Sequence, residues 1–271
     1  MNWNVSDTFN KSTLGRRLRS TAALILTGGT LLTCGSNADA ALVFSDDFSS
    51  PDGALAGTTP DVGGGNWAAT ASAATPIQIA SGAAAVKSSG QDDYAPFTAP
   101  VSTATALGLT TNLDINISAA QANGDYFSHL STPAGTTSTF LQRLFVRSSG
   151  AGFQLGLLDT STGSTTTWGA GVLNLNSPFK VTVKWNFVPG ALNDTFEVLV
   201  NGSSYLTHTW TSTLAEPIDL AAVNLRQGSG ANAATLTVDN LSVESTPIPE
   251  PATLVLAGAG LIGLVACGRR K

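Results

Sequence analysis

The chain has 271 residues, is 42% hydrophobic and 11% charged, and carries a formal net charge of −5 with two cysteines. That apolar content with so little charge excludes a disordered chain. A multi-pass membrane protein is excluded as well, because the apolar excess lies at the two ends and not in several internal runs of about 18 residues.

At the N-terminus, Arg16, Arg17 and Arg19 precede an apolar stretch over 22–32, which leads to Ala38-Asp39-Ala40. A basic region, a short apolar core and a small-residue exit predict a signal peptide over 1–40, removed by signal peptidase after Ala40. Leu31-Leu32-Thr33-Cys34-Gly35 resembles a lipobox, although Thr33 is larger than the residue usual before the cysteine, and lipoprotein processing at Cys34 stays open as an alternative. Residues 41–248 then hold six basic and fifteen acidic side chains, a net charge of −9. Nucleic acid is excluded as a partner, since it requires a basic footprint. Cys34 and Cys267 both lie in the apolar ends, so the body between them has no disulfide and no thiol nucleophile.

The body reads as short runs of β-formers separated by Gly, Asn, Ser and Thr, with almost no helical periodicity. Strands are expected over 42–44, 77–80, 83–87, 106–117, 139–147, 152–158, 165–175, 180–187, 196–200, 204–210, 220–227 and 234–243. Val181, Val183, Trp185 and Phe187 alternate with Lys180, Thr182, Lys184 and Asn186, the pattern of one buried and one wet face. Asn201-Gly202 between two such runs predicts a two-residue hairpin. In the last strand Leu236 and Val238 share one parity and Leu241 and Val243 the other, which predicts a β-bulge at Asp239-Asn240. About a dozen strands without helices imply an all-β, antiparallel sandwich or barrel over 41–246.

At the C-terminus, Pro247-Ile248-Pro249-Glu250-Pro251 precedes seventeen uncharged residues over 252–268 and then Arg269-Arg270-Lys271. A helix of that length spans about 25 Å, the short end of a transmembrane helix, and the basic end favours a cytoplasmic terminus. Prolines on both sides of Glu250 hold it extended, as proteases take up peptides. This order resembles the PEP-CTERM sorting signal of Gram-negative surface proteins over 247–271. The resemblance implies Pro249, Glu250 and Pro251 as sorting motif, an exosortase-type enzyme as partner, transient residence in the inner membrane, and delivery to the cell surface or its polysaccharide matrix. A permanently anchored protein is the alternative.

Ser45-Asp46-Asp47-Phe48, Trp67 after Gly63-Gly64-Gly65, the Asn201-Gly202 hairpin and the run from Leu236 to Val243 together resemble the concanavalin A-like lectin/glucanase jelly roll in its laminin-G-like form. That family contains sugar binders, hydrolases and structural modules, so the fold leaves function open. By resemblance, Asp46, Asp47 and Asp239 are candidate ligands of a structural calcium, with a solvated turn as the alternative. Trp67 and Trp168, beside Gly- and Thr-rich loops, are candidate sugar contacts, with Trp210, Tyr94, Tyr126 and Tyr205 also available.

Hydrolysis of a glycosidic bond needs two carboxylates about 5 Å apart in the retaining case. Glu197, Glu216 and Glu244 are the only glutamates of the body, and none has an acid two residues away. Asp194 and Glu197, three apart, fall on opposite faces of a regular strand. His129 and His208 are the only histidines, and His208 reads as solvated among the polar set of its strand. The expectation is an exported, non-enzymatic surface or matrix protein associated with extracellular polysaccharide. A carbohydrate-binding adhesion module for one glycan is the alternative, and a glycoside hydrolase or lyase the third reading.

Overall fold

A computed structural model describes residues 40–248 except 71–74, 88–89, 134–138, 161–164, 191 and 228–232. Residues 1–39 of the expected signal peptide, the Pro-Glu-Pro motif and the apolar run over 252–268 lie outside these. Residues Asp39–Ile248 make one compact unit. It contains β1 (Ala41–Asp46), β2 (Gly53–Ala54), β3 (Ala68–Ala69), β4 (Gln78–Ile79), β5 (Ala84–Val86), β6 (Gln91–Ser102), β7 (Ala106–Ala119), β8 (Asp125–Ser131), β9 (Phe140–Ser149), β10 (Gly152–Thr160), β11 (Thr167–Trp168), β12 (Phe179–Asn186), β13 (Thr195–Val200), β14 (Ser203–Thr209), β15 (Asp219–Gln227) and β16 (Thr235–Pro247).

Two antiparallel sheets share these strands. The first runs β14-β13-β12-β7-β16-β5-β4-β2, with β1 paired to β16, and the second runs β11-β10-β9-β8-β15-β6-β3. One continuous core lies between them, including Phe44, Leu113, Val183, Trp185 and Val198 from the first sheet and Phe127, Leu144, Leu155, Val223 and Leu225 from the second. No helix occurs among the described residues, so the expected β-sandwich stands.

Local chemistry accounts for the elements read correctly. β12 alternates buried positions with exposed or half-buried ones along its whole length. Asn201 and Gly202 both take positive φ, 50° and 79°, as a turn matching the twist of its strands requires. The register of β16 on β7 shifts between Asp239 and Ser242, with Asn240 at φ 47°, and Leu236, Val238, Leu241 and Val243 are all buried. The expected phase change is therefore a bulge that lets both parities face the core.

Three expectations need correction. β6 and β8 were not expected as strands: Pro96 and Pro100 interrupt one, and Asp125-Tyr126-Phe127-Ser128-His129 hides the other behind polar residues. The run over 165–175 yields only the two-residue β11 and a single bridge from Leu173 to Phe153. The last strand, expected over 234–243, runs over Thr235–Pro247.

Candidate functional site

The predicted ligand residues separate. Trp67 is 1% exposed, packs edge-on against Phe44 at 5.7 Å, and donates its Nε1–H to Asp46 Oδ2 at 2.6 Å. It has no free ring face for a sugar, which corrects the expectation for this residue. Gly64 permits the fold here, because its N–H bonds Pro96 O at 2.9 Å and a Cβ would stand 2.2 Å from Phe97 O. The second oxygen of Asp46 accepts from Phe48 N at 2.7 Å, and burial pushes this carboxyl up against those two bonds. Asp194 repeats the device at a second tryptophan of the core, accepting from Trp185 Nε1 and from Val188 N at 2.8 Å each.

The expected calcium set is regrouped. Oxygens of Asp46, Asp47 and Asp61 lie within 4.8 Å of one another, so Asp61 joins the cluster that sequence assigned to Asp239. Asp239 instead accepts from Asn240 N at 2.7 Å within the bulge. Carboxylate oxygens suit calcium, and Asp47 and Asp61 are exposed. Four of the six oxygens already accept N–H donors: both of Asp46, Asp47 Oδ1 from Ser49 N, and Asp61 Oδ2 from Asp47 N.

Trp168 has a different fate. Cross-strand register puts Tyr126, Phe145, Gly156 and Trp168 in one row over β8, β9, β10 and β11, on the face of the second sheet turned away from the core. Ring centroids are 5.5 Å apart for Tyr126 and Phe145 and 6.3 Å for Phe145 and Trp168. Gly156 is required in this row, since a Cβ there would meet the Trp168 ring at 2.7 Å. Arginines cover the rings: Arg143 lies 3.7 Å from the Tyr126 centroid, Arg147 4.1 Å from that of Trp168, and Arg226 4.8 Å from that of Phe140. Arg147 also donates through Nε and Nη2 to Gln154 Oε1, and Arg226 pairs with Asp92 at 3.1 Å.

His129 sits beneath these cations. It pairs in register with Asn224, which in turn faces Tyr94, and its ring is 4.5 Å from Phe140 and 5.7 Å from Tyr126. Neither ring nitrogen has a hydrogen-bond partner among the described residues. Burial, then the charges of Arg143 and Arg226, hold its pKa well below the usual range, so the ring is neutral at pH 7. His208 is buried too, contrary to expectation, because it shares the inward parity of Leu206 and Trp210, and Thr167 Oγ1 meets its Nδ1 at 2.7 Å. Trp210, also available by sequence, is 2% exposed and stacks on Trp185 at 5.5 Å.

Three of the six cations of residues 41–248 thus share one face of an acidic body. Planar guanidiniums on aromatic rings are preorganised to bind carboxylate or sulfate oxygens, while the rings offer stacking surface. Sequence reasoning missed this assembly, finding only its edge at Trp168 and naming Tyr126 without a place. The signal available was the odd spacing of Arg143, Phe145 and Arg147 along one strand face.

Several solved structures align with most of this chain. It aligns with an endo-β-1,4-glucuronan lyase from the fungus Trichoderma reesei at 8% identity and TM-score 0.44, covering 74% of this chain and 98% of that one. An alginate lyase from Pseudomonas aeruginosa aligns at 12% identity and TM-score 0.45, covering 74% and 97%. The carbohydrate recognition domain of Emp47p aligns at 13% identity and TM-score 0.43, covering 76% and 98%. No curated protein matches the sequence. Residues 247–271 match the model of the PEP-CTERM protein-sorting motif.

Proposed function

We propose that the protein is an exported, non-enzymatic component of the cell surface or extracellular matrix of a Gram-negative bacterium, sorted by an exosortase-type enzyme and held to acidic extracellular polysaccharide. The sorting motif supports the route. The observation that carries the ligand is the row of Tyr126, Phe145 and Trp168 under Arg143 and Arg147, with Arg226 beside it. Guanidiniums stacked on rings match, at short range and against the repulsion of the −9 body, an anionic chain whose sugar rings lie on the aromatic row. The test is sedimentation of the protein with a polyuronate and with neutral dextran. Retention by the polyuronate that falls with salt and is lost in Arg143→Ala/Arg226→Ala supports the reading, and equal retention by both polymers overturns it.

The alternative, a recognition module for one defined glycan, is favoured by the fixed spacing of the aromatic row. Binding to a single structure on a glycan array would establish it. A glycoside hydrolase or lyase is the further reading, the lyase favoured by Tyr126 beside Arg143. β-Elimination from a uronate needs a cation on the carboxylate and a base for the adjacent carbon proton. Accumulation of unsaturated uronate ends from a polyuronate, abolished in Tyr126→Phe, would replace the non-enzymatic reading.

A further inference from the structure

A cleft of about 740 Å³ opens at one end of the sandwich, lined by apolar side chains including Phe187, Trp210 and Leu214, with Glu216 its only ionisable lining residue. Six large hydrophobic residues are exposed among the described residues, and four of them line this cleft: Leu107 at 45%, Val188 at 40%, Leu192 at 56% and Ile248 at 46%. Such clustering distinguishes a contact surface from scattered exposure. The chain leaves the body at the same place, since Pro247 pairs with Ala106 and Ile248 N bonds Thr105 O at 3.4 Å.

Ile248 is separated from Ala252, where the uncharged run of the sorting signal begins, by Pro249-Glu250-Pro251 alone. Four Cα steps reach at most about 14 Å even when fully extended. The polar headgroup layer takes about 5–8 Å of that on each side of a bilayer. We infer that the Leu107, Val188, Leu192 and Ile248 rim seats on the lipid headgroup layer while the chain is still joined to its membrane-spanning run. This rests on the sorting reading. Cleavage between the body and the membrane-spanning run frees the rim from its tether. Arg143, Arg147 and Arg226 are not part of this rim, so the cationic face stays available to polysaccharide.

The test is hydrogen exchange of the full chain in nanodiscs of phosphatidylethanolamine and phosphatidylglycerol, after isolation of discs that contain it. Amides of Phe187, Val188, Gly190 and 213–216 should exchange about threefold or more slowly in discs than in the chain truncated after Ile248, with 203–209 unchanged as the internal control. Leu107→Ser/Leu192→Ser should abolish the difference, and both positions are exposed, so this variant keeps its core. Equal exchange in discs and in the truncated chain overturns the seat while leaving the sorting route intact. Failure of the chain to stay with the discs overturns the anchor and the seat together. Protection that appears in the truncated chain with rising protein concentration assigns the rim to a second copy and also overturns it.

Discussion

The outer faces of the two sheets treat charge in opposite ways. On the first sheet Lys180 and Lys184 of β12 stand exposed, and Lys184 faces Glu197 and, beyond it, Thr207 across the neighbouring strands, a wet surface of separate polar groups. On the second sheet Arg143, Arg147 and Arg226 are laid over Tyr126, Trp168 and Phe140, with His129 buried among them. Ordering long cationic side chains and removing a histidine from water both oppose folding. In the proposed function the ordered cationic face takes the external anion, and the wet face serves solubility.

The largest way to break this contrast lies beneath both faces. Trp67→Ala should cost about 3–5 kcal/mol in urea unfolding, as expected for an emptied tryptophan site. Asp46→Ala should cost about 1–3 kcal/mol by stranding the indole N–H. Polyuronate affinity per folded molecule should stay unchanged in both. If Trp67→Ala abolished binding without unfolding the protein, the ligand would not lie on the second sheet.

Next in size is binding itself. Arg143→Ala should weaken polyuronate binding by about tenfold, because a stacked guanidinium offers two aligned donors, and Arg143→Lys should rescue little of it. Lys180→Ala and Lys184→Ala should change it by less than about twofold. Equal losses on the two sheets, read by titration calorimetry, would reduce the contrast to net charge.

The pH dependence is smaller. Burial, with the charge of Asp92, pushes Asp93 up to about 6, and burial together with Asp194 pushes Glu216 up to about 7. Both acids hold their proton more tightly folded than unfolded, where 3.8 and 4.5 apply. Their stabilising contribution is therefore full below about pH 4 and lost as pH rises to about 7. Asp93→Asn/Glu216→Gln should flatten the melting profile between pH 4.5 and 7.5, by about 1 kcal/mol after solvent screening. An unchanged slope would place the titration elsewhere.

The smallest effect concerns calcium. With four of six oxygens of Asp46, Asp47 and Asp61 already accepting N–H bonds, excess calcium or chelator should move the melting temperature by less than about 2 °C. A larger shift, lost in Asp61→Asn, would make this corner a calcium centre.

Sequence by itself determined the periodic and the covalent features. The alternation of β12, the Asn201-Gly202 turn and the phase change at Asp239-Asn240 were legible because the side-chain period of a strand is two and the turn needs positive φ. The sorting motif was legible because its order along the chain is its meaning. Only the tertiary structure decided which of the aromatics beside loops are buried. Trp67 and Trp168 both stand beside Gly- or Thr-rich loops in sequence, yet Asp46 draws one into the core while Gly156 lets the other lie on the surface row. The cationic face was illegible for the same reason. Its residues come from β6, β8, β9, β10, β11 and β15, and β6 and β8 escaped recognition because prolines and half-buried polar groups broke the pattern. Cross-strand register joins side chains up to 134 positions apart, from Asp92 to Arg226, and no local period records that adjacency.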